Sequence, residues 1–205
     1  GLLLGSLIVS WLDPFGKLTW AEVTVLSPVA GSFTFVFLIL AASIIFRDLR
    51  IGIFIGYGIV GILGAIFWRR LFYFFKDLVG KIKLKLGLHH IFLGIFFVAY
   101  VGVLLQVMIW DSQGFPLSVL VGWGDGAYHL DIIKRLATAE PFGLEQPIAT
   151  GQPLTYPLFL DFMSAVLLKI GAKINVAWHL PVFLFGTGLF LLLWFLGQRI
   201  FNSKL

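Results

Sequence analysis

Five apolar runs, residues 27–46, 51–68, 91–110, 155–170 and 176–197, dominate this sequence. Each lies near the ~20 residues that an α-helix needs to cross the hydrocarbon core of a bilayer. Backbone amides in hydrocarbon must be satisfied within their own segment, so runs of this length fold as helices. The fold expected is therefore all-α, a polytopic integral membrane protein with five full spans. Composition agrees: 12% of residues are charged and 60% hydrophobic, whereas soluble domains carry about 25% charge. A leading apolar run, residues 1–11, is too short to cross and reads as the tail of an incomplete helix. With Gly rather than Met in first place and no basic residues ahead of that run, the sequence suggests a fragment without an intact signal peptide.

The connections carry the orientation. Arg47-Asp48-Leu49-Arg50 closes a tight hairpin between the first two runs. Before the first run, Thr19 and Glu22 have capping-box spacing. In the second run, Gly52 and Gly56 form a small-xxx-small pair that lets helix backbones approach closely. Residues 69–90 then form a basic connector, with Arg69, Arg70, Lys76, Lys81, Lys83 and Lys85 against Asp77. The positive-inside rule assigns it to the cytoplasm. Residues 111–154 show the opposite balance, with Asp111, Asp125, Asp131, Glu140 and Glu145 against Lys134 and Arg135. That long loop is expected on the outer face. The chain thus divides into residues 1–90, a membrane hairpin with its cytoplasmic connector, and residues 91–205, a second membrane module. The net charge of +5 is spread through short loops and is no nucleic-acid footprint. The absence of cysteine excludes disulfides and thiolate metal sites.

Candidate chemistry concentrates in residues 123–161. Asp125, Tyr128 and His129 stand at i, i+3 and i+4, so a helix there places all three on one face. Residues 126–139 have the pattern of an amphipathic helix, with Leu130, Ile133, Leu136 and Ala137 on one side. It is too short and too charged to span, and is expected to lie in the interface with its apolar face down. Pro141-Phe142-Gly143 stops it. Asp125, between Gly124 and Gly126, suits a helix N-cap and equally a general base or a ligand for a divalent cation. His129 is placed to hydrogen-bond Asp125 or share its ligand. Asp131 and Arg135 have the spacing of an intrahelical ion pair, while Lys134 and Arg135 suit a lipid phosphate. Tyr156-Pro157 marks a helix start. Asp161, an ionisable residue in an apolar helix, is a functional candidate because burying it is costly.

The ordered set Gly-Asp-x-x-x-His-Leu, an interfacial helix, then Gly-x-Pro-Leu-x-Tyr-Pro resembles the polyprenyl-phosphate-sugar glycosyltransferases of the GT-C fold. The similarity is to the protein O-mannosyltransferase and aminoarabinose-transferase branch and its bacterial and archaeal relatives. It covers residues 91–197 and implies the N-terminal portion of such an enzyme in a prokaryotic plasma membrane. The donor implied is a polyprenyl-phosphate sugar. Asp125 matches the family's acidic position in the first outer loop, with His129 as its catalytic companion. Tyr128, Lys134, Arg135, Tyr156 and Asp161 are the expected substrate-binding residues. Family members often have a second acidic residue where this chain has Gly126, which leaves the use of a divalent metal open. The competing reading is non-enzymatic, an assembly subunit or transporter fragment, although no paired broken helices mark a transporter.

Overall fold

The computed structural model describes residues 1–13, 16–80, 88–107, 109–110, 116–117, 125–149 and 151–201. Asp111, Gly124, Lys81, Lys83 and Lys85 lie outside the described residues. Among the described residues eight helices run in order: α1 Leu2–Leu12, α2 Trp20–Phe46, α3 Leu49–Ile66, α4 Trp68–Gly80, α5 Leu88–Val107, α6 Asp125–Thr138, α7 Phe159–Lys169 and α8 Ile174–Phe201. A two-residue antiparallel ladder pairs Ile109–Trp110 with Pro116–Leu117. The protein is a helical membrane protein. Among the described residues three helices, α2, α3 and α8, are long and apolar enough to cross a bilayer.

The run expected at 91–110 folds as α5, a helix of 20 residues. The run at 155–170 contracts to α7, whose 11 residues extend about 16 Å at 1.5 Å per residue. Local chemistry sets both its ends. Pro157 disfavours helix in the residue before it, so the segment ahead of Phe159 stays irregular. At the other end Gly171 takes φ 98°, and the Ala172 and Gly171 amides bond the Leu167 and Leu168 carbonyls. That is a Schellman cap, and the left-handed residue it needs is glycine.

The contacts divide the chain into two compact units. The first comprises Gly1–Phe37, Gly56–Phe96 and Leu184–Leu205. Here α1 crosses α2 at van der Waals distance of the backbones. A Cβ on Gly5 would lie 1.7 Å from the Ser27 carbonyl oxygen, and one on Gly31 1.9 Å from that of Gly1. The capping box expected at Thr19 forms in full: Glu22 accepts from the Thr19 amide at 2.7 Å, and the Glu22 amide reaches Thr19 Oγ1 at 3.3 Å. Glu22 also takes two bonds from Arg199, at 2.6 and 2.9 Å. Arg70 of α4 donates to Ser10 Oγ and to its carbonyl, which ties α4 to the end of α1.

The second unit comprises Leu38–Ile55 and Phe97–Phe183. Its hairpin turns at Arg47, φ 53°, and Asp48 Oδ1 caps α3 by accepting from the Arg50 and Ile51 amides. Gly52 sits where a Cβ would come 2.1 Å from Ser43 Oγ, the close approach expected of it. The core of this unit is the packing of α6 on α7.

Candidate functional site

The apolar stripe of α6 is buried at Ile132, Ile133, Leu136 and Ala137, each no more than 3% exposed. It meets the buried residues of α7, among them Phe162, Ala165 and Val166. Phe142, just past the end of α6, seals the pair by packing edge-on to Phe162. The helix falls within one or two residues of its expected bounds, but its apolar face is covered by protein. At about 25 cal/mol per Å² of buried apolar surface, large side chains such as these supply most of the driving force for that contact.

This packing brings together two residues that are far apart in sequence. His129 projects from the first half of α6 and Asp161 from the first turn of α7. His129 Nδ1 lies 2.8 and 3.0 Å from the two carboxylate oxygens. The Asp161 side chain is 8% exposed and that of His129 27%. A carboxylate only accepts, so Nδ1 carries the proton of this bond. Tyr156 stands on the Nε2 side, its hydroxyl 3.5 Å from that nitrogen, the long limit of a hydrogen bond. Burial lifts the Asp161 carboxyl above the ordinary carboxylate range, and the hydrogen bond and charge of His129 pull it part of the way back.

An aromatic wall surrounds the imidazole. The Tyr156 and Trp178 rings meet it edge-on at 5.2 and 6.1 Å, and Tyr128 meets Tyr156 at 5.4 Å. The Tyr128 hydroxyl donates to Gln146 Oε1. Tyr156 reaches this place because the preceding loop folds back on itself. The Gln146 amide bonds the Gln152 carbonyl, and the Leu154 amide bonds that of Leu144. The Gly-x-Pro-Leu-x-Tyr-Pro stretch is thereby pinned beside α6.

The sequence-predicted residues thus separate into two groups. His129, Asp161, Tyr156 and Tyr128 converge. Asp125 is the first residue of α6 and exposed, where its charge complements the helix dipole. It lies one turn before His129, with no recorded side-chain partner among the described residues. Lys134 is exposed. Arg135 does not form the expected pair with Asp131 but bonds Glu145 at 2.7 Å, because the 144–154 loop presents a carboxylate at that side. Trp178 and Gln146 were not signalled by the sequence, since both enter through tertiary packing. No group of three or more His, Asp or Glu able to hold an ion occurs among the described residues. No family model, curated protein or solved structure matches the chain.

Proposed function

We propose that the chain acts in membrane glycosyl transfer of the GT-C kind, moving a sugar from a polyprenyl-phosphate donor to an acceptor hydroxyl. In this reading residues 111–154 face the outside of a prokaryotic plasma membrane and residues 69–90 the cytoplasm. The observation that carries it is the Asp161–His129–Tyr156 arrangement. A buried carboxylate fixes one imidazole tautomer and leaves the other ring nitrogen on the more open side. A helix-packing module has no need of such a group, and fixing a ring in this way is a recurrent means of preparing it for proton handling.

The acceptor oxygen attacks the anomeric carbon as the bond from that carbon to the phosphate oxygen breaks, releasing polyprenyl phosphate. Asp125 takes the acceptor's proton. His129 Nε2 accepts a hydrogen bond that orients the hydroxyl, and the rings of Tyr128 and Tyr156 bound the space beside it. Lys134 offers a cation for the departing phosphate, whereas Arg135 is engaged by Glu145. The test uses membranes containing the full protein and a panel of polyprenyl-phosphate sugars, with transferred sugar measured. General-base catalysis is worth about 10²–10⁴-fold, so Asp125→Asn is expected to lower transfer at least about a hundredfold with protein levels unchanged. Transfer within a few-fold of the parent in both Asp125→Asn and His129→Asn overturns the reading.

A further inference from the structure

Helix α4 has an apolar stripe of its own, Trp68, Leu71, Phe72, Phe75 and Val79, at helical spacing. Of these only Leu71 is buried; Trp68, Phe72 and Val79 are 57, 58 and 66% exposed. Trp68, Leu71, Phe72 and Phe75 of the stripe form one wall of a groove of about 590 Å³, whose opposite side is the glycine face of α3 with Tyr57, Gly61 and Gly64. A Cβ at Gly61 or Gly64 would meet nothing within 4 Å. Among the described residues these glycines therefore pack against no other helix; they leave a trough.

Bases flank the apolar stripe along α4. Arg69 and Lys76 are two turns apart and share the face next to the apolar stripe. The Arg69 guanidinium sits 5.7 Å from the Trp68 ring centroid, and Trp68 itself lines the groove. Arg70 is turned away, bonded to Ser10. Asp77 is the one acid on α4 against three bases. An apolar trough on a helix that carries bases beside its stripe matches an amphiphile with an anionic head.

We propose that the α3–α4 groove is a binding site for an anionic membrane phospholipid. One acyl chain lies along Gly61, Gly64, Trp68 and Phe72, and the phosphate is held by Arg69 and Lys76. Lipid binding here does not depend on transferase activity.

The test reconstitutes the purified full chain in phosphatidylcholine nanodiscs with and without phosphatidylglycerol, and counts retained lipids by native mass spectrometry. Basic residues at an anionic surface each contribute about fivefold. Phosphatidylglycerol is expected to be retained about 25-fold over phosphatidylcholine, falling to near parity in Arg69→Gln/Lys76→Gln. Gly61→Leu/Gly64→Leu fills the trough and is expected to remove one retained lipid of either head group. Lys76→Gln alone, an exposed change, is expected to lose about fivefold and guards against misfolding of the double variant. Equal retention of the two lipids by the wild type, or a preference untouched by the charge variants, overturns the proposal. So does a lipid-free dimer that Gly64→Leu converts to monomer, which would assign the groove to a second copy of this chain.

Discussion

Helices α4 and α6 are both short and amphipathic, and both carry bases beside an apolar stripe, yet their stripes meet different surroundings. That of α6 is covered by α7 and Phe142, whereas that of α4 is open along most of its length. Amphipathicity tells which side of a helix seeks an apolar phase; it does not say whether protein or lipid supplies it. The decision rests with the neighbour. α7 is too short to cross a bilayer and offers Phe162 and Ala165 to α6, while α3 offers α4 a row of glycines that fill nothing. A polar group beside the first stripe is held rigidly by packing, and one beside the second is left to meet a head group.

The largest expected contrast is in stability. Leu136→Ala or Phe162→Ala, in the α6–α7 contact, is expected to cost about 2–5 kcal/mol through lost burial and the cavity left behind. Phe72→Ala on α4 is expected to stay within about 0.5 kcal/mol in detergent. Thermal unfolding of the three variants measures the difference, and equal losses would erase the distinction. Next come the glycines. Gly31→Ala drives a Cβ into the Gly1 carbonyl oxygen and is expected to cost at least 2 kcal/mol, the scale of an overpacked core. Gly61→Ala enters open space and is expected to be neutral or stabilising by up to about 1 kcal/mol, the helix-propensity difference.

These glycines mark what was legible in the sequence. Gly52 stood out and does lie at a close approach, but the tighter crossing at Gly5 and Gly31 went unsignalled, because small residues show spacing and not the partner they face. The hairpin at Arg47, the capping box at Thr19 and the extent of α6 were readable, since each depends on residues within a turn or two. The helical, membrane-embedded character was readable from the apolar runs, three of which lie in helices long enough to cross a bilayer. The shortness of α7 was not, because Pro157 and Gly171 act as ends only once the loop and cap around them form. Likewise Asp161 and His129 each drew notice, but their pairing spans 32 residues and depends on α6 packing on α7. The expected Asp131–Arg135 pair lost to Glu145, a partner supplied by the folded loop.

Two smaller effects sharpen the contrast further. Asp161 has a carboxyl pKa raised by burial, so between the ordinary carboxylate pKa and its raised value the folded state binds more protons than the unfolded one. Stability from this group is therefore present at low pH and lost as pH rises through that window. The thermal midpoint of the wild type relative to Asp161→Asn is expected to fall as pH is raised from 4, and a relative rise would contradict the burial assigned to Asp161. The smallest effect is expected at Arg135→Gln. Its pair with Glu145 is about 40% exposed on both sides, and such pairs are worth about 0–1 kcal/mol. A loss well above that would mean the 144–154 loop depends on the pair for its position beside His129.

The distinction between the two helices is tested most directly by a membrane-soluble diazirine label, photolysed in lipid bilayers containing the unmodified protein and mapped by peptide mass spectrometry. Strong labelling is expected at Trp68, Phe72 and Val79 of α4, with little at Ile132, Ile133 and Leu136 of α6. Equal labelling of both stripes, or labelling of α6 with α4 spared, would contradict the account.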